Sequence, residues 1–243
     1  MTAPAEFCLR LGDNDLILSQ RLGEWCGHGP VLEEDLALTN VALDLLGQAR
    51  NWLTLAGERE GRGRGEDQLA FLRDAGEFRN LLLVEQPNGD YAHTMLRQFL
   101  FDAWHLPLLE ALAASPDAAA AAIAAKAAKE AAYHLRRSRD LVVRLGDGSE
   151  ESHARMQRAV DDLWPYTGEL FQTDAVDREG VDLEPLRGRW QREISATLEC
   201  ATLAAPAETW MQHGGKQGIH GEKLGTLLAE MQFLQRAYPG AQW

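Results

Sequence analysis

Apolar positions recur along the chain at the three- and four-residue spacing of helices, and no segment shows the alternation of a half-buried strand. The spacing predicts a first helix from about Asp13 to Cys26, closed by Gly27. A second runs from near Glu33 to about Arg59 and stops at the sequence GRGRG. Residues 61–89 read as a connection with a short helix near 67–73, ending in the turn sequence QPNG. A third long helix spans about Asp90 to Ala114, with a bend expected at Pro107, whose ring removes a backbone donor. Ser115 is placed as the cap of the next helix and Pro116 as its first residue, where the missing N–H costs nothing. That helix continues to about Leu145 and ends at Gly146. Ser149 opens another, perturbed at Pro165 and fading near Phe171. A Gly/Asp-rich connection and helices near 185–204 and 221–237 complete a pattern that reads as one all-α domain over residues 1–243.

The second helix carries two apolar rows. Leu38, Val41, Leu45, Ala49, Trp52 and Ala56 form one, and Leu36, Leu43, Leu46 and Leu53 another on roughly the opposite side. Such a helix needs cover on both faces, from further helices of the same domain or from a protein partner.

Composition narrows the function. A chain of 243 residues with 45% hydrophobic positions has ample material for a core. Its formal charge of -13 repels phosphate backbones and anionic bilayers, which argues against nucleic acid and membrane as partners. Cys8, Cys26 and Cys200 are odd in number and far apart, which suits a reducing cytoplasm. The start, MTAPAEFCLR, lacks the pattern of a signal peptide, and the Ala run at 118–125 is too short and too weakly apolar to span a bilayer.

Candidate chemistry lies in the long helices. Asp102 and His105 are three apart in a row with Phe99, Leu109 and Leu112, and Glu130 and His134 share a face with Ile123, Ala127, Leu141 and Leu145. Asp44 lies beside the Val41/Leu45 row. This resembles part of the di-iron carboxylate plan, a Glu from each of two helices and Glu-x-x-His from each of the other two. The fourth helix does not complete it. Counting back from the turn at 146–149, the level of Glu130 falls near Trp164 and Pro165, neither a ligand. Glu150-x-x-His153 has the literal pattern but lies roughly 18 Å down the axis from that level. Asp44, Asp102, His105, Glu130 and His134 therefore read as a degenerate ligand set forming a buried polar network, so no metal, cofactor or catalytic residue is assigned to this chain. An occupied di-iron centre and a weakened single-metal site are the other readings. The loop HGGKQGIHGE at 213–222 offers Gly, Lys and His before a helix, suited to an anion or, more simply, to a solvated loop. No GxSxG or other nucleophile motif is present.

The segments LRLGDNDLILSQRLGEWCGHGP, LALTNVALDLLGQARN, RNLLLVEQPNGD, FDAWH, KEAAYHLRRSRD, TGELF, GGKQGIH and LAEMQFLQRAYPGAQW together resemble the PaaC family across nearly the whole chain. These are the small, non-catalytic subunits of the multicomponent phenylacetyl-CoA oxygenase. The segment His220-Gly221-Glu222 departs slightly from that family's form. The resemblance implies a ferritin-like four-helix bundle with additional helices, in a subunit that pairs with a related catalytic subunit binding the di-iron centre. It further implies small accessory subunits, NADPH-derived electrons delivered by a flavin and iron–sulfur reductase, and O2-dependent 1,2-epoxidation of the aromatic ring. A catalytic di-iron subunit and a helical scaffold unconnected with oxygenation are the alternatives.

Overall fold

Local signals set the ends of the helices. In the computed structural model, which describes residues 2–207 and 209–241, all regular structure among the described residues is helical, in keeping with a ferritin-like helical fold. The α-helices are α1 (Ala5–Gly23), α2 (Leu32–Glu60), α3 (Glu66–Phe71), α4 (Tyr91–Ala113), α5 (Ala118–Gly146), α6 (Glu150–Leu163), α7 (Ala175–Gly180), α8 (Glu184–Cys200) and α9 (Glu222–Ala237). Glu33, Glu34 and Asp35 load the first turn of α2 with negative charge, and Gly61 ends it at φ 69°, a conformation that suits glycine. Asp90 caps α4 by accepting the His93 N–H at 3.0 Å, and α4 continues through Pro107 as one helix.

Several boundaries differ from the sequence reading, among them the ends of α1 and α8, at Gly23 and Cys200 rather than near Cys26 and 204. The first helix starts at Ala5, not near Asp13. Asp13, Asn14 and Asp15 resemble a cap signal, yet all three are buried in mid-helix, where Asp13 meets Arg73 and Asn14 accepts the Leu81 N–H at 2.7 Å. Similarly, the cap of α5 is Asp117, not Ser115, so Ser115 and Pro116 sit in the preceding turn. The Gly/Asp-rich connection also holds a short helix, α7, capped by Asp174.

The chain forms two compact units. One comprises residues 3–87 and 214–243 and contains α1, α2, α3 and α9; the other comprises 1–2 and 88–213 and contains α4 to α8. In the first, α1 and α2 pack along their length as a helical hairpin. Gly12 permits this, because a Cβ there would stand 2.7 Å from Leu53 Cδ2 and 3.3 Å from the Leu53 backbone N. A buried ion pair ties α1 to the segment after α3: both Asp13 oxygens meet the Arg73 guanidinium, and Asp13 Oδ2 also accepts the Arg79 N–H at 2.8 Å. In the second unit α4 is central, packed against α5, α6 and α8 and buried almost all round. Two indoles tie α4 to its neighbours: Trp104 Nε1 of α4 donates to the Leu170 carbonyl at 2.9 Å, and Trp190 Nε1 of α8 donates to the Leu100 carbonyl of α4 at 3.1 Å.

Candidate functional site

Polar side chains inside the α4–α5 pair are placed by helical spacing. Gln98, Asp102 and His105 lie on one face of α4, and His134 and Ser138 lie one turn apart on α5. All five are buried to 1% exposure or less. Gln98 Nε2 donates to Asp102 Oδ1 at 2.7 Å and Ser138 Oγ donates to Asp102 Oδ2 at 2.8 Å, so each carboxylate oxygen has a neutral donor. Burial nevertheless pushes the Asp102 carboxyl up to about 6, against the opposing influence of His134 and the two donors. Burial, helped by the nearby His134, lowers His105 to about 3 and leaves it neutral between Phe101 and Trp104, with ring centroids 4.8 and 6.2 Å away.

The structure thus brings together Asp102, His105 and His134 from the predicted set. Glu130 is half-buried one turn before His134, and Asp44 is half-buried on α2 in the other unit. Among the described residues, no group of three or more His, Cys, Asp or Glu side chains is gathered closely enough to hold a metal ion. The donor set around Asp102 is an amide and a hydroxyl, which do not fit the carboxylate and imidazole shell of a di-iron group. Trp164 opens a short 3-10 turn after α6, with its ring 6.1 Å from Trp190. His153 is engaged at the α5–α6 junction, its Nδ1 2.7 Å from the Gly146 carbonyl, while Glu150 is exposed. Gln98 and Ser138 were missed in the sequence, although each lies four residues from a residue that was singled out.

A second feature is apolar. On α2 the row Leu38, Val41, Leu45, Ala49, Trp52 and Ala56 is buried. Of the other row, Leu36, Leu43 and Leu46 are 55%, 59% and 40% exposed, and Leu32 one turn earlier is 70% exposed. Leu53 does not belong with them; at 2% exposure it packs into the core against Gly12. Leu43 and Leu46 overhang a groove of about 560 Å3 whose lining includes Leu53, Ala70 and Phe71. Exposed apolar side chains continue in this unit with Leu72 after α3 and with Phe233, Leu234 and Tyr238 at the end of α9.

The glycine-rich loop is part buried and part solvated, with His213, Gln217 and Ile219 exposed, and its end at α9 is already occupied from within. Gly214, Gly215 and Lys216 are buried, and the Gly221 N–H at the start of α9 donates to Glu85 Oε1 at 2.7 Å, so an internal carboxylate takes the anion's place.

An all-helical chain with Asp102 held by Gln98 and Ser138 in one unit, and with an exposed row of leucines on α2 in the other, has known relatives. Over residues 1–243 the sequence fits the phenylacetic acid catabolic protein family, and the chain belongs to that family. It is 55% identical over 243 residues, covering 98% of both chains, to the C subunit of the 1,2-phenylacetyl-CoA epoxidase of Escherichia coli (strain K12). That similarity supports membership of a multi-subunit epoxidase acting in phenylacetate catabolism. No described helix is long and apolar enough to cross a membrane.

Proposed function

We propose that this chain is the structural, non-catalytic subunit of a phenylacetyl-CoA 1,2-epoxidase complex, working in the cytoplasm and pairing with a ferritin-like catalytic subunit that carries the di-iron centre. The reductase and small accessory subunits complete the complex, and the iron in the partner supplies oxygen activation. This chain contributes a rigid helical surface and no cofactor of its own. The observation that carries the proposal is the sorting of the α2 rows: one is sealed in the core, while Leu36, Leu43 and Leu46 are left in the open. Contiguous exposed apolar side chains of this kind mark protein interfaces, and obligate ones commonly bury more than about 2,000 Å2 with an apolar centre. The commitment of Asp102 to Gln98 and Ser138 supports the non-catalytic part.

The test is co-expression with the catalytic subunit. The double substitution Leu43→Lys and Leu46→Lys is expected to leave a folded chain that no longer co-elutes with its partner, whereas Val41→Lys and Trp52→Lys unfold it. Retention of the partner by a folded Leu43→Lys, Leu46→Lys chain would reject α2 as the docking helix. For the non-catalytic reading, elemental analysis after anaerobic reconstitution decides: a stoichiometric iron pair on the isolated chain would make it a catalytic subunit instead.

A further inference from the structure

Glu85 is 1% exposed, and its side chain accepts three hydrogen bonds: from the Gly221 N–H at 2.7 Å, from Asn80 Nδ2 at 3.1 Å and from His220 Nδ1 at 2.8 Å. The other ring nitrogen of His220 lies 3.0 Å from the Phe78 carbonyl oxygen. A carboxylate and a carbonyl only accept, and a neutral imidazole has one N–H to give. Both contacts are satisfied together only when the His220–Glu85 pair carries one extra proton. With the His220 side chain 4% exposed, water has little room to substitute for it.

This pair closes a contact in which backbone meets backbone at two glycines. A Cβ at Gly215 would stand 2.2 Å from the Asn80 carbonyl oxygen, and one at Gly218 would stand 2.2 Å from that of Gly76. The loop therefore lies directly on residues 76–82 with no side chain to anchor it there at those two positions. The far end of α9 is held differently: Gln232 Nε2 donates to the Ala70 and Arg73 carbonyls at 3.0 Å each, and Arg236 donates to the Arg73 carbonyl at 2.8 Å. Neither of these groups titrates near neutral pH. Of these two sets of contacts, the one at the amino-terminal end of α9 includes a histidine.

We propose that the His220–Glu85 pair is a protonation latch, fixing the 214–221 loop and the first turn of α9 to residues 76–85 and releasing that edge when the proton leaves. Other charges face it from each side. Arg21 of α1 donates to the Glu85 carbonyl at 3.1 and 2.8 Å and reaches the Lys223 carbonyl at 3.4 Å. Asp13 of α1 acts on the ring through space while paired with Arg73, and the Arg79 guanidinium lies beside Gly218. Lys216 is on the loop itself. Burial disfavours the imidazolium, but Glu85, the Phe78 carbonyl and Asp13 outweigh it and hold His220 above its ordinary value of 6.5. A raised folded-state value makes the latch fully effective below the unfolded value and lost as pH rises through the folded one.

The full-length chain tests this by NMR. The His220 ring is expected to titrate with a midpoint above 6.5. Across that midpoint the exchange of the Gly221 amide, which donates to Glu85, corrected for intrinsic pH dependence, should accelerate about tenfold or more, with the Leu45 amide in α2 as a constant reference. His220→Gln should show fast exchange already at low pH and no further change. A ring midpoint at or below the ordinary value, or corrected exchange that stays flat across it, would overturn the latch, and both are read on the wild-type chain should the variant fail to fold.

Discussion

Asp102 sits where burial disfavours its charge more than Gln98, Ser138 and His134 restore it, so its carboxyl rises from 3.8 to about 6. A carboxyl raised in the fold contributes stability that is fully present below its unfolded value and is lost as pH climbs through the folded one. For a shift of this size the loss is on the order of 2–3 kcal/mol. Asp102→Asn has no such charge to form. Its stability relative to wild type is therefore expected to improve by about 2–3 kcal/mol between pH 4 and pH 7.5, measured by urea unfolding at both. His105 behaves in the opposite sense. Its value of about 3 means that the stability of the neutral ring is present above 6.5 and drains away as pH falls. His105→Ala removes a buried ring beside Phe101 and Trp104 and should cost at least about 1–3 kcal/mol, read as a lower Tm. Lost activity in the assembled complex with an unchanged Tm would point to a chemical role.

Helices were the most legible level of the sequence, because a row of Leu38, Val41, Leu45, Ala49 and Trp52 leaves one way to fold that stretch. The second row was legible as apolar but not as covered or bare, since periodicity says which residues share a face and not what meets that face. Leu53 shows the limit, being grouped with Leu43 and Leu46 by spacing but drawn into the core by the absent side chain of Gly12. The first helix failed at its start for a related reason. A buried Asp13 and a capping Asp look alike until Arg73, 60 residues later, is known to reach it. Two glycines put numbers on the packing of these elements. Gly12→Ala forces a Cβ to 2.7 Å from Leu53 Cδ2 and should destabilise the chain by about 1–3 kcal/mol. Gly47→Ala on exposed α2, with nothing within 4 Å, should stabilise the isolated chain by roughly 0.5–1 kcal/mol. Chemical denaturation of the two variants in parallel checks both signs.

Across the whole chain, the Asp102–His105 and His134 positions were readable as inward polar groups, whereas Gln98 and Ser138 were not, because an amide and a hydroxyl on a helix are ordinary surface residues until their partner is seen. The Glu85–His220 pair was out of reach altogether, its members 135 residues apart with no local pattern joining them. The proposed partner adds a property of the assembly: a catalytic subunit that binds only the folded chain raises Tm in proportion to the logarithm of its concentration. Thermal scans with increasing catalytic subunit should show that rise for wild type and a flat line for Leu43→Lys, Leu46→Lys. The discontinuous unit of residues 3–87 and 214–243 also orders events in time. While the polypeptide is being made, α1, α2 and α3 emerge with Glu85 already in place, but His220 and Gly221 follow only after the intervening unit has been translated. At about 5–20 residues per second, the separation of 135 residues is a delay on the order of ten seconds. For that interval Glu85 awaits its histidine, the carbonyls of Ala70 and Arg73 await Gln232, and the nascent amino-terminal half exposes to chaperones an edge that α9 and its preceding loop cover in the finished protein.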